Sequence, residues 1–193
     1  MTAPLSIGAA IVLSGGAGSR LGGVDKSALI VGGIPMLDRV AEAVEGIPLV
    51  LVGPRRWLAW PAISTREYPP GGGPAAGVAA GVAALPPVAP DQLVVLLAAD
   101  LPGITPDTVL RVCSAVVESG AEGAVLVDEG GNEQLLTSAW RSSSLVAAVR
   151  SRPDWAGQAL REMLAPMSRV WVPAIGDEAA DVDTPADLAR WRR

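Results

Sequence analysis

Histidine and phenylalanine are absent from this 193-residue chain, and there is one cysteine, Cys113. Without His, no His-dependent catalytic triad and no imidazole zinc ligand is available. One Cys permits neither an internal disulfide nor a multi-cysteine metal cluster. Cys113 is expected to be buried on a helix. Aromatic residues make up 4% of the chain, whereas half of it is hydrophobic, mostly Ala, Val and Leu. That balance suits helices packed closely on an aliphatic sheet, not an aromatic sandwich core. Positive charge is also scarce. A net charge of −5 leaves no basic footprint for a nucleic-acid partner, so any polyphosphate site must be local. No apolar run is long enough to span a bilayer, and the opening residues MTAPLSIGAAIVLSGG lack the basic region of a signal peptide. The expectation is a cytoplasmic chain with no membrane partner.

What is present alternates between strand and helix patterns over a length that fits one domain, residues 1–193. Residues 7–13 read as a buried strand, 35–44 as a helix with Met36, Leu37, Val40 and Val44 on one side, and 49–52 as a second strand. Residues 93–97 form another aliphatic strand, and 106–118 a helix with Thr105 as its cap. Residues 124–127 follow as a strand, 128–131 as a turn, and 133–138 as an antiparallel strand. Residues 145–149 and 157–164 read as helices and 168–172 as extended chain. A last helix is expected over 184–191, capped by Thr184 with Pro185 in its first turn. The Pro-rich stretches 69–74 and 86–90 read as short loops. No internal repeat and no clear linker divides the chain. The fold class this predicts is three-layer α/β/α, Rossmann-like, with a mostly parallel central sheet. The Trp residues at 57, 60, 140, 155, 171 and 191 serve as packing or partner contacts, because no basic stripe accompanies them as a base-stacking platform would require.

The most informative stretch is IVLSGGAGSRLGGVDKSAL, in which an apolar run stops at a glycine-rich loop that delivers Arg20 and Lys26. Phosphates approach main-chain N–H groups closely only where no Cβ intervenes, and Gly15, Gly16, Gly18, Gly22 and Gly23 meet that condition. The Arg20 guanidinium can fork onto two phosphate oxygens, whereas the Lys26 ammonium acts as a point charge. Together they suit the charge developing on a leaving pyrophosphate. Two commoner glycine motifs do not fit. The dinucleotide fingerprint would need glycine where Leu21 stands, and the P-loop would need Lys directly after Gly, whereas Val24 and Asp25 separate Gly23 from Lys26.

Ligands of open α/β sheets collect outside the carboxyl ends of the strands, which places the glycine loop and the residues after Leu97 on one rim. Asp100, in AADLP, falls there. A hard carboxylate oxygen at that point can hold Mg²⁺ beside substrate phosphates, and an Asp next to Pro also caps turns; the residues alone leave both open. A second glycine segment, PPGGGPAAGVAAG, precedes an Ala-rich helix. Its small residues would admit a ring or sugar, or simply close packing. Near the end, in ADVDTPADL, Asp181 and Asp183 alternate along an extended segment that also reads as a helix entry.

The segment LSGGAGSRLGGVDK resembles the signature L-x-G-G-x-x-x-R-x-G-x-D-K of the MobA-like nucleotidyltransferases, the molybdenum cofactor guanylyltransferase family, with Val24 as one extra residue before Asp25 and Lys26. The resemblance implies nucleotide binding by Leu13, Ser14, Gly15, Gly16, Gly18, Arg20, Gly22, Gly23 and Lys26, and by Gly73, Pro74 and Gly77 of the family's G-P-x-x-G element. It implies catalytic roles for Arg20, Lys26 and Asp100, and metal ligation by Asp100 and Asp183. The family's N-x-N-T-P-E-D-L has Asp at both Asn positions here, which places Asp181 on the acceptor side. Gln134 joins it through a Q-P-L-like element in which Leu135 stands for Pro. The implied reaction transfers GMP from GTP, with Mg²⁺, to the terminal phosphate of molybdopterin and releases pyrophosphate. Transient contact with other cofactor-biosynthesis proteins is implied as well. A cytidylyltransferase for the same cofactor and a sugar-phosphate nucleotidylyltransferase are the alternatives within this chemistry. A non-catalytic nucleotide-binding regulator is the alternative outside it.

Overall fold

A computed structural model describes residues 5–15, 26–56, 58–182, 187 and 191. The elements in chain order are β1 (Ile7–Leu13), a 3-10 turn (Lys26–Ala28), β2 (Ile30–Val31), β3 (Ile34–Pro35), α1 (Met36–Glu42), β4 (Leu49–Val52), β5 (Ala62–Thr65), α2 (Gly73–Ala83) and β6 (Leu93–Ala98). They continue with α3 (Pro106–Ser119), β7 (Gly123–Val127), β8 (Glu133–Arg141), α4 (Ser142–Arg150), α5 (Leu160–Leu164) and β9 (Arg169–Pro173). Seven strands form one sheet in the order β5-β4-β1-β6-β8-β7-β9. The pairs β5–β4, β4–β1, β1–β6 and β7–β9 are parallel, and β8 runs antiparallel to both β6 and β7.

The central strands are aliphatic throughout because both of their faces are covered, and alternate side chains go to opposite layers. Ala10, Val12, Leu49, Leu51, Val95 and Leu97 pack with Leu37 and Val40 of α1 and Val109 and Val112 of α3. Their neighbours Ile11, Leu13, Val50, Val52, Val94 and Leu96 pack with Ala75 and Val78 of α2, Leu145 of α4 and Leu160 of α5. The result is the expected three-layer α/β architecture around a mixed, mostly parallel sheet. Cys113 lies fully buried on α3, where desolvation pushes its thiol up to about 12. Trp140 and Trp155 are core residues, while Trp171 is 62% exposed on the edge strand β9.

Several element limits differ from the sequence reading. The helix expected over 35–44 starts one residue later, because Pro35 pairs with Ile30 in a short antiparallel ribbon. The helix expected over 157–164 begins only at Leu160, since Gly157 takes a positive φ of 73° in a turn and donates its N–H to Gly72 O at 2.8 Å. The strand expected over 133–138 extends to Arg141 and is antiparallel as anticipated. The ribbon β2–β3 and the edge strand β5 are additions. The helix start at Thr184 and Pro185 lies outside the described residues. Among the described residues, no helix is long and apolar enough to cross a membrane.

The β7–β8–β9 side is tied together electrostatically. Glu133 Oε1 accepts from Trp171 Nε1 at 2.9 Å and from Arg169 Nε at 3.0 Å, and Arg161 stands 3.8 Å from Oε2. The Trp171 hydrogen bond and then the two arginines hold the Glu133 carboxyl below its ordinary value. A depressed carboxyl contributes stability above its unfolded pKa and loses it as pH falls through the lower folded value. Glu133→Gln is therefore expected to lower Tm at pH 7 and to flatten the acid limb of a Tm-against-pH curve below about pH 4.3, the unperturbed Glu value. Parallel acid limbs in the two proteins would contradict this.

Candidate active site

The cleft that matters opens where β1, β4 and β6 end at their carboxyl termini. It encloses about 730 Å³. Leu13 O accepts the N–H of Ala99 at 3.0 Å, so β1 and the chain after β6 leave the sheet side by side. Ser14 N–H donates to Val52 O at 2.8 Å and its hydroxyl donates to the same oxygen at 3.2 Å. The sheet's hydrogen bonding on that strand is then spent, and the glycine loop begins at Gly15.

Two glycines elsewhere make this geometry possible. Gly53, directly after β4, has φ of 139°, and a Cβ built there would lie 2.7 Å from Ser14 Oγ and 3.0 Å from Gly15 N. Any larger residue would press on the start of the loop. Gly77, one turn into α2, would place a Cβ 3.2 Å from Leu13 Cδ2, so the small residue lets the helix lie directly on the end of β1. The N-terminus of α2 reaches the cleft through Gly73 and Pro74. An eleven-residue helix aimed in this way offers the positive end of its dipole to a bound anion.

Of the residues singled out in the sequence, Leu13, Ser14 and Gly15 line this cleft from β1, Asp100 from the turn after β6, and Gly73, Pro74 and Gly77 from α2. Segments from three parts of the chain thus converge. Gly16, Gly18, Arg20, Gly22 and Gly23, the side chain of Lys26, and Asp183 lie outside the described residues. Asp181 is exposed and does not line the cleft. Gln134 does not line it either: its amide donates to Asp128 Oδ2 at 3.3 Å within the β7–β8 hairpin. Leu136, two residues further on, reaches the cleft instead. The pairing explains this. Leu126 faces Gln134 while Val125 faces Ser138, so residues 135–137 bulge away from β7 and redirect the side chains between.

The sequence reading missed Arg66 and Glu67, which follow β5 and line the cleft opposite Asp100. Glu67 Oε1 accepts the N–H of Gly71 at 2.9 Å and lies 4.0 Å from the Cβ position of Gly15. Arg66 is exposed and makes no hydrogen bond or ion pair among the described residues. A signal was available: between residues 57 and 90 these two are the only charged side chains.

The donor set suits a hard cation. Asp100 offers carboxylate oxygens where the parallel strands end, the sequence has no His, and Cys113 is buried on a helix of the opposite layer. Among the described residues no group of three or more His, Cys, Asp or Glu gathers, as an all-protein cage would need. Mg²⁺ is ordinarily held by one or two carboxylates together with phosphates and water, and Asp100 fits that role.

The chain is similar to several known proteins. A molybdenum cofactor guanylyltransferase from Vibrio cholerae is 30% identical over 129 residues, a match covering 64% of this chain and 60% of that protein. The structure of molybdopterin-guanine dinucleotide biosynthesis protein A from Archaeoglobus fulgidus superposes with a TM-score of 0.72 at 18% identity, covering 95% of this chain and 96% of that one. A 4-diphosphocytidyl-2C-methyl-D-erythritol synthase from Anaerococcus prevotii gives a TM-score of 0.68 at 12% identity, with 97% and 95% covered. At those identities the two structures speak for the fold alone. The family model of the MobA-like NTP transferase domain matches residues 10–170, and the chain belongs to that family.

Proposed function

We propose that residues 1–193 act as one cytoplasmic nucleotidyltransferase domain that moves GMP from GTP to the terminal phosphate of molybdopterin and releases pyrophosphate. The observation that carries this reading is the convergence of the β1 end, Asp100 and the N-terminus of α2 on one cleft of nucleotide size. The V. cholerae relative supports the choice of acceptor and base.

In this reading the chain's own residues bind and orient. Main-chain groups from Gly15 onward cradle the triphosphate, with the α2 N-terminus adding favourable potential. The small residues Gly73 and Gly77 leave room for the nucleoside. The acceptor phosphate attacks the α-phosphorus in line, and Arg20 and Lys26 neutralise the departing pyrophosphate. No covalent protein intermediate is required. Asp100, with Asp183 from the C-terminal segment, would hold Mg²⁺, which when bound polarises phosphate oxygens and offsets their charge.

The test is an assay of the purified chain with each α-labelled NTP, molybdopterin and Mg²⁺, following label in the dinucleotide product and release of pyrophosphate. Label transfer from GTP is expected. Transfer from CTP alone would select the cytidylyl alternative. Tight GTP binding without pyrophosphate release under any acceptor would select the non-catalytic one.

A further inference from the structure

We propose that Arg66 reads the nucleobase and selects rings that present two adjacent hydrogen-bond acceptors. The proposal rests on the nucleotide reading above and deepens it.

The sheet order orients the substrate within the cleft. Asp100 follows β6 on one side of β1, whereas Arg66 and Glu67 follow β5, two strands away on the other side. Two strand spacings amount to roughly 10 Å. Glu67 adds a sign to this axis. Its carboxylate accepts hydrogen bonds only, and it stands 4.0 Å from the Cβ position of Gly15. A phosphate placed against it would meet like charge. Asp100 is a carboxylate as well, but in the nucleotide reading it shares Mg²⁺ with the phosphates, whereas Glu67 already accepts the Gly71 N–H and has no such role; the phosphates then run from the loop at Gly15 toward Asp100, and the neutral nucleoside lies toward β4 and β5. Among the described residues, the wall there is apolar apart from this pair, with Val52 and Pro54 from the end of β4.

Arg66 is then the donor group facing the base. Its guanidinium carries donors only, in a planar fork, and no described residue occupies them. Such a fork makes two bonds only where a ring edge offers neighbouring acceptors. Guanine does so through O6 and N7, and cytosine through O2 and N3. Adenine and uracil place a donor between their acceptors and permit one bond at most. A bidentate pair of this kind discriminates by roughly five- to a hundred-fold.

Equilibrium binding of Mg²⁺ complexes of GTP, CTP, ATP, UTP and 7-deaza-GTP to the full chain tests this, in the wild type and in Arg66→Ala and Arg66→Lys. The wild type is expected to favour GTP or CTP over ATP and UTP by roughly five- to a hundred-fold. Arg66→Ala brings the ratio close to one. Arg66→Lys keeps the charge without the fork and loses most of the ratio. If guanine is the base read, 7-deaza-GTP, which lacks N7, binds the wild type more weakly than GTP does; if cytosine is, CTP leads the series. An Arg66→Ala variant that weakens all NTPs by the same factor would make Arg66 a phosphate contact and overturn the proposal while leaving nucleotidyl transfer intact. A variant that changes nothing overturns it too. A wild type that binds no NTP would remove the nucleotide reading itself.

Discussion

Asp100→Asn is expected to lower kcat by about a hundred- to a thousand-fold, a loss of roughly 3–4 kcal/mol of transition-state stabilisation. The substitution changes little in shape. Asp100 is half-buried in the turn after β6, and Asn has nearly the same volume, so the cleft that Ala98, Ala99 and Leu13 build around it is expected to persist. In the proposed reaction, what disappears is a negative charge at the point where several anionic oxygens would gather around one Mg²⁺. A neutral amide oxygen is a poor substitute ligand for Mg²⁺, so the variant should also need more Mg²⁺ to reach half-maximal rate. A readout independent of turnover is the Mg²⁺-dependent rise in Tm given by GTP, since a ligand that binds only the native state stabilises it. That rise should shrink in Asp100→Asn, whereas the Tm without ligand should stay near the wild-type value. The opposite pattern, a lower Tm with kcat retained, would make Asp100 the turn cap that its position before Leu101 and Pro102 equally suggests.

Much of this site was legible in the sequence because strand-end chemistry is local. The runs IGAAIVL and LVVLLA are buried on both faces and carry no polar position to blur them, so both strands were found, and the rim on which they end followed from the rule for open sheets. Helix α3 was readable from its cap: Thr105 Oγ1 accepts the N–H of Thr108 at 3.2 Å, and Pro106 opens the first turn. Strand β5 was not readable. Its four residues, AIST, are half-exposed at the sheet edge and have neither the length nor the clean alternation that pattern reading needs. Missing that strand hid the location of the loop after it, and with it Arg66 and Glu67. Gln134 shows a complementary limit of sequence patterns: a motif-like match singled it out, but the bulge in β8 sets which side chain reaches this cleft, and a bulge is a property of pairing with another strand.

Glu178→Ala is expected to cost about 2–4 kcal/mol of folding stability. Glu178 is 9% exposed and sits in the loop after β9, where it fastens that loop to the start of α3. Its Oε1 accepts the Thr108 hydroxyl at 2.7 Å, and its Oε2 accepts Arg111 Nη2 and the Ile175 N–H, each at 2.7 Å. Truncation takes the carboxylate from three donors and leaves the Ile175 N–H without this acceptor, while Arg111 Nη2 keeps Pro173 O at 3.4 Å and the Thr108 hydroxyl keeps Thr105 Oγ1 at 2.9 Å. Losing one partner of a buried pair costs about 3–5 kcal/mol. Arg111 is 30% exposed and can recover water, which brings the figure down. For a chain of this size the loss corresponds to roughly 5–15 °C in Tm. Thr108→Val supplies the comparison, because it removes one of the three bonds to Glu178, together with the hydroxyl contact to Thr105, and should cost about 1.5–3 kcal/mol.

The clasp acts on more than the loop itself. The carbonyl of Asp177 lies where a Cβ of Gly103 would stand, three residues after Asp100, and Val182 is fully buried against Val31 and Met36. The loop therefore runs from the sheet edge past the Asp100 turn to the ribbon that follows Lys26. Loosening it at Glu178 should raise hydrogen exchange at Gly103 and Val182 together, ahead of the buried strands β1 and β6. A Glu178→Ala protein whose Tm lies within a degree or two of the wild type, or whose exchange rises only around Ile175, would show that the loop is held by apolar packing and that the carboxylate adds little.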